Sequence, residues 1–177
     1  MAGLYIFTLL ISPFFSSPLS LDKFQALDAA KVPISEHQVI IPKIGVNIQY
    51  LEGTSKTLQK GAWHRFPERG NPQIGGNFIL SAHRFEIGWT PQQTRQKSPF
   101  YNIGNIDQGD IIYIDFKGKR YTYEVKRRYK VKPEAVSIEA PSDVAKLTLY
   151  SCTLKGAADG RDVIEAVISE PPRQASI

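Results

Sequence analysis

A chain of 177 residues, 42% hydrophobic and 22% charged, is long enough for one globular domain and excludes a disordered, collagenous or polytopic membrane protein. The net charge of +5 favours anionic partners in general, but no zinc finger, recognition helix or RNA-binding signature accompanies it, which argues against nucleic acid. One cysteine excludes an intramolecular disulfide and a multi-thiolate metal site, and the histidines at 37, 64 and 83 lack the spacing of a zinc site.

Leu4 to Phe15 is strongly apolar but spans only 12 residues and contains Pro13, against about 20 apolar residues for a membrane-spanning helix. No basic residue occurs before Lys23, as a secretory signal would require. Three readings are open: a truncated membrane anchor, which we favour, an atypical export signal, or an apolar segment packed on the domain. Ser16 to Pro33 mixes Ser, Pro and Ala with charges and reads as a tether, with a short helix expected around Leu21 to Ala30. The expected organisation is therefore an apolar segment and linker over 1–38, a folded domain over 39–170, and a tail over 171–177.

From Val39 onward strand signals dominate. Val39 to Val46 is a β-rich run whose Pro42 suits an edge or a strand start. Asn77 to His83 follows the Gly75-Gly76 breaker and reads as a buried strand. Asp110 to Phe116 and Arg120 to Lys132 form a hairpin around Lys117-Gly118-Lys119. The basic residues of the second arm alternate with Tyr121, Tyr123, Val125 and Tyr129, the pattern of a solvated sheet face. Lys146 to Cys152 is a further strand, and Asp162 to Ser169 is the last. Short helical turns are expected at Thr54 to Gln59, at Pro99 to Ile103 and, after Ser142 and Asp143, at Pro141 to Lys146. Many short strands with Gly and Pro punctuation indicate an all-β fold with short helices, a barrel or a sandwich.

Cys152 closes an apolar strand and opens a stretch of small residues, Thr153 to Gly160. A solitary cysteine is ordinarily inert core. Its position at a strand end is where a rigid scaffold meets an open loop. His83 closes another buried strand, and if the two ends adjoin, imidazole and thiol share one rim of the sheet. A neutral thiol needs a positive neighbour to become thiolate. Arg161, nine residues on, supplies permanent charge and oxyanion stabilisation. Taken singly, His83 reads as a strand cap and Arg161 as a surface charge.

The combination resembles the sortases. Thr148-Leu149-Tyr150-Ser151-Cys152 with Arg161 downstream is similar to that family's Thr-Leu-x-Thr/Ser-Cys and Arg signature. Gly75 through Arg84 resembles its Gly-Asn-hydrophobic-Ala-Gly-His-Arg segment. Ile41 to Val46, Gly61 to His64, and Phe100 through Asp110 match supporting stretches in the same order, so the resemblance covers about residues 39–169. It implies an eight-stranded β-barrel and a cysteine transpeptidase that cleaves a Leu-Pro-x-Thr-Gly-like sorting signal. A thioacyl enzyme would pass its product to an amine of a peptidoglycan precursor or a pilin lysine. It also implies partners among surface proteins or pilins, a place on the outer face of the bacterial membrane through an N-terminal anchor, and no cofactor or metal.

The roles implied for this chain are Cys152 as nucleophile, His83 as general acid and base, and Arg161 as backbone-binding and oxyanion-stabilising cation. Ser151 and Ala82 are expected to line the substrate, and the loop Pro133 to Asp143 to hold the Leu-Pro part of the signal. His64, the main rival base, has Trp63 and Phe66 beside it and is expected to be structural; His37 lies before the barrel. Ser81-Ala82 in place of Ala-Gly, Ser151 in place of Thr, and Leu154 where many relatives carry Pro blur the subclass. The short Cys-to-Arg spacing looks more like the pilin-polymerising or housekeeping-like classes, although 16–38 shows no aromatic lid motif and no acidic cluster marks a calcium site. The rivals are an L,D-transpeptidase, disfavoured because its Arg stands almost next to the cysteine, a hydrolase, and a catalytically silent surface-binding module.

Overall fold

Residues 27–174 are described here in a computed structural model, with side chains through Glu170. The apolar stretch Leu4–Phe15 and most of the tether lie outside them. Nine strands occur in chain order: β1 His37–Ile41, β2 Val46–Leu51, β3 Ala62–Arg65, β4 Gly70–Asn71, β5 Gly75–Ser81, β6 Ile111–Phe116, β7 Lys119–Val131, β8 Lys146–Thr153 and β9 Gly156–Gln174. Eight of them close a ring in the order β3-β2-β1-β6-β7-β9-β8-β5, sealed by pairing of β3 with β5, while the two-residue β4 sits beside the start of β5. The expected eight-stranded, sortase-like barrel is borne out. Neighbours are antiparallel except β2–β3 and β5–β8.

The barrel follows from alternation along each strand. On β5 and β8, Phe78, Leu80, Leu147 and Leu149 point inward to a core shared with Val39, Ile112, Ile114, Tyr123 and Ile164. Their neighbours Ile79 and Tyr150 point outward, where they form a smaller buried cluster with Val163 and Ile138. Each such side chain contributes roughly 1.5–3 kcal/mol on burial. The outer cluster exists because the segment after β7 folds over the sheet, and it becomes the floor of the site described below.

Several sequence expectations are revised. The run Val39–Val46 is two strands, because Pro42 opens a 3-10 turn and Gly45, at φ 66°, reverses the chain so that Ile41 pairs with Val46. The helical turn expected at Pro141–Lys146 is absent. Ser142 instead closes a turn on Val144, and β8 begins at Lys146, while a 3-10 turn forms earlier at Val136–Glu139. The turn expected at Pro99–Ile103 is shifted to Ile103–Asn105, and a 3-10 turn at Ser55–Gln59 matches that expected at Thr54–Gln59. Of the helix expected at Leu21–Ala30, the described part shows a 3-10 turn at Ala29–Lys31.

Among the described residues one α-helix occurs, α1 at Pro91–Lys97, and the sequence pattern did not announce it. Its residues carry no apolar stripe. Thr90 caps it by accepting the Gln93 N–H at 3.1 Å, with Pro91 at the first helical position. The basic arm β7 is a solvated face only beyond Val125. Arg120 through Val125 are buried apart from half-buried Glu124, and the Arg120 guanidinium grips fully buried Asp115 through two hydrogen bonds of 2.7 and 2.9 Å. The same guanidinium donates to the carbonyls of Ala29 and Val32, and Ser35 N–H donates to Asp115, which ties the end of the linker onto the barrel.

Candidate active site

Two registers assemble the site. β5 and β8 run parallel with Ser81 beside Tyr150, and the Ala82 N–H donates to the Tyr150 carbonyl at 3.3 Å. Two residues further on stand Cys152, still in β8, and His83, just past β5, which stops at Ser81 rather than running to His83 as expected. β8 and β9 run antiparallel with Cys152 directly opposite Arg161. The three sequence-expected residues thus lie on or just past three neighbouring strands at one rim of the barrel. Cys152 is a free, partly exposed thiol, and Arg161 and His83 are partly exposed as well.

The stretch Thr153–Gly160 is less of a loop than its composition suggests. β8 turns at Leu154-Lys155 straight into β9, and Thr153 pairs with Gly156, so residues 157–160 bulge out between two paired positions. The bulge places the carbonyls of Ala157 and Gly160 at 2.7 and 2.9 Å from Arg161 Nη1, which accordingly has a fixed direction. Gly160 is required there, since an added Cβ would lie 2.6 Å from the Val131 carbonyl oxygen. Asp159 accepts from Thr153 Oγ1 at 2.6 Å and closes the bulge.

Ser151 and Ala82 are both buried. Alternation turns the Ser151 side chain away from the Cys152 face, and its Oγ donates to the Cys152 carbonyl at 3.0 Å. Ala82 belongs to the main core. Both stand beside the reactive residues along the backbone.

A cleft of about 200 Å³ opens on the Cys152 face of the sheet, lined by Arg65, Pro133, Val136, Glu139, Tyr150 and Arg161. Its outer wall is the segment after β7, the same Pro133–Asp143 stretch singled out in the sequence. Asn77, fully buried, holds that wall by donating to the carbonyls of Ile138 and Ala140 at 3.1 and 2.8 Å. Glu139 pairs with Arg65 at 3.0 Å and accepts from the Tyr150 hydroxyl. Burial, reinforced by that carboxylate, pushes the Tyr150 phenol well above its ordinary range, so it stays a neutral donor. Neither Arg65 nor Glu139 was singled out in the sequence. Only contact across β3, β8 and the wall brings them together.

The rival histidines lie elsewhere. His64 on β3 is 2% exposed, packs edge-on against Phe78 with centroids 4.7 Å apart, and has Nδ1 3.5 Å from Glu52. Burial lowers its pKa, with the Glu52 charge opposing, so it is a neutral packing residue. His37 packs on Tyr50 and Phe116 at the start of β1. Among the described residues, no group of three His, Cys, Asp or Glu side chains is placed to hold a metal, and no helix is long and apolar enough to cross a membrane.

Comparison with known proteins agrees with this fold. The family model described as Sortase domain matches residues 39–169. The Sortase A of Streptococcus agalactiae is 30% identical over 119 residues, which cover 65% of this chain and 45% of the relative. The Sortase D of Bacillus subtilis is 27% identical over 114 residues, 63% of this chain and 51% of the relative. The chain therefore spans about half the length of these curated relatives. A Clostridium perfringens Sortase D5 transpeptidase structure superposes with a TM-score of 0.62 at 25% identity, covering 78% of this chain and 79% of the other.

Proposed function

The chain belongs to the sortase family, a family of cysteine transpeptidases, and we propose that it cleaves a Leu-Pro-x-Thr-Gly-like sorting signal and transfers the product to an amine. One observation supports this reading above the others: Cys152 stands opposite Arg161 in the β8–β9 register, with His83 two residues past the end of the parallel neighbour β5. A nucleophile, a proton carrier and a fixed cation at one rim are what acyl transfer through a thioester needs.

The Cys152 thiolate attacks the Thr carbonyl carbon of the signal. Arg161 stabilises the oxyanion of the tetrahedral intermediate. As the Thr–Gly amide bond breaks, the His83 imidazolium gives its proton to the leaving amine, and the thioacyl enzyme remains. An incoming amine then loses a proton to His83 and attacks the thioester, and Cys152 leaves as thiolate. The cleft beside Tyr150 and Arg161 fits the apolar Leu-Pro part of the signal against Val136, Ile138 and Tyr150. Surface proteins or pilins that carry such a signal would be the donors, and a peptidoglycan precursor or a pilin lysine the acceptor. The site of action would be the outer face of the bacterial membrane, with residues 4–15 as part of an anchor.

The test incubates the protein with fluorogenic Leu-Pro-x-Thr-Gly-type peptides, with and without amine acceptors, and traps the adduct for mass spectrometry. A thioacyl mass on Cys152 and faster turnover with amine are expected, with C152A, H83A and R161A inactive. Turnover by Cys152→Ala, or no adduct on Cys152, would sink the reading; adduct formation with hydrolysis alone would make it a hydrolase.

A further inference from the structure

The imidazole of His83 is held by Glu86 before any substrate arrives. Glu86 Oε2 lies 2.8 Å from His83 Nε2. The Gln59 side-chain nitrogen is 3.1 Å from the same carboxylate oxygen and 3.3 Å from Nε2. Lys97 Nζ is 3.5 Å from Glu86 Oε1. An ionised carboxylate only accepts hydrogen bonds, so Nε2 must carry the hydrogen it shares with Glu86. Gln59, whose amide nitrogen only donates, then gives its hydrogen to Glu86 rather than to Nε2. Nδ1 is the ring nitrogen left without a partner in this network.

The backbone that carries the carboxylate is itself anchored. Ser98, fully buried, accepts the Glu86 N–H at 2.9 Å through Oγ and donates back to the Glu86 carbonyl at 3.3 Å. Two residues on, Phe100 N–H donates to the His83 carbonyl at 3.1 Å. One short segment, 98–100, therefore fixes both ends of the turn that carries His83 and Glu86. A surface ion pair formed by chance has no such support on either side.

We propose that Glu86 is a positioning residue of the transpeptidase reaction, fixing His83 as the Nε2–H tautomer so that Nδ1 is the nitrogen that exchanges protons with the leaving and incoming amines. The proposal rests on the reading of His83 as general acid and base. Gln59 and Lys97 complete the arrangement, Gln59 by sharing the carboxylate and Lys97 by balancing its charge. A base oriented by a third group is a general way to keep one tautomer ready for proton transfer.

The experiment compares wild type, Glu86→Ala and Glu86→Gln by peptide turnover with an amine acceptor and by ¹⁵N NMR of histidine-labelled protein, with His83→Gln identifying the His83 signals. In wild type the neutral imidazole should show a bare Nδ1 and a protonated Nε2. Glu86→Ala should lose that preference and lower kcat on the order of 10- to 100-fold, with KM changed by less than about twofold. Glu86→Gln, which keeps an acceptor oxygen but no charge, should retain the tautomer and recover part of kcat. An unchanged tautomer in Glu86→Ala, or an altered tautomer with unchanged kcat, overturns the proposal. If wild type forms no thioacyl adduct, the transpeptidase reading fails instead, and the NMR comparison still decides whether Glu86 sets the His83 tautomer.

Discussion

Arg84 and Asp162 form a buried ion pair, Nη1 to Oδ2 at 3.2 Å, and each directly follows one of the proposed catalytic residues, His83 and Arg161. The pair spans the end of the barrel on the face opposite Cys152, because alternation sends Asp162 inward where Arg161 points outward. It joins the end of β5 to β9 across β8, which carries Cys152. Burial lowers the Arg84 pKa and the Asp162 charge opposes it, but a guanidinium remains charged and must keep its counter-charge.

Asp162→Ala should therefore be severe. It leaves the Arg84 charge buried without compensation, a class of change that costs roughly 3–5 kcal/mol. Denaturant titration should show the midpoint fall with little change in slope, and turnover should fall with it at temperatures where the variant is still folded. Replacing both partners with apolar residues of similar size should restore most of the stability without restoring the turnover. Equal stability of Asp162→Ala and wild type would show that the pair contributes no net stability.

The barrel, and the places of the proposed catalytic residues along the chain, were largely legible in the sequence, for a reason specific to each. Cys152, His83 and Arg161 each lie in or next to an unmistakable apolar strand run, so their places could be read without knowing which strands pair. Glu86, Arg65 and Glu139 could not be read that way. Arg65 and Glu139 meet only because the β7–β8 connection folds over β8, a contact between residues 74 positions apart. Glu86 did carry a local signal, a carboxylate three residues past a strand-end histidine, but in a turn without periodicity. The helix α1 was missed because its stability comes from the Thr90 cap and tertiary contact rather than from an apolar stripe. β2 begins at Val46, the last residue of the Val39–Val46 run, and Pro42 and Gly45 were the marks of the reversal before it.

His64 should confer acid sensitivity without taking part in turnover. Its folded pKa lies below the ordinary value of 6.5, so on acidification the unfolded chain takes up a proton that the folded protein resists. Stability then falls as pH drops below about 6.5 and is unaffected above it. His64→Phe, which keeps the ring contacts with Phe78 and Tyr50, should flatten that part of the stability–pH curve and leave kcat unchanged. Thermal unfolding at a series of pH values, with turnover measured at neutral pH, checks both halves.

Glu165 should add to the acid sensitivity in another way, by a stabilising contribution that acid removes. Burial alone would raise its pKa, but hydrogen bonds from Arg127 at 2.7 Å, Tyr129 at 2.8 Å and Lys146 at 3.1 Å outweigh it and hold the carboxyl at about 2. A depressed pKa stabilises the fold above the unfolded value of 4.5, and the gain is lost as pH falls towards 2. Because the site is partly open to solvent, about 1–2 kcal/mol is the expected size. Glu165→Gln should be less stable by that amount at neutral pH, and the two curves should converge in acid.

Asn77 should separate binding from chemistry. Its amide donates to the carbonyls of Ile138 and Ala140, and its oxygen accepts from Thr148 Oγ1 at 2.6 Å, so one buried side chain fastens the cleft wall to β5 and β8. Asn77→Ala would leave two carbonyls and a hydroxyl without these partners, at a cost of about 1–3 kcal/mol. The wall would lose its anchor, but Cys152, His83 and Arg161 are set by backbone registers of β5, β8 and β9 that do not depend on the Asn77 side chain. KM for a sorting-signal peptide should accordingly rise several-fold while kcat stays close to wild type. Steady-state kinetics over a wide peptide range measures both constants. An unchanged KM would mean that the wall keeps its place by the packing of Ile138 on Ile79, Tyr150 and Val163 alone.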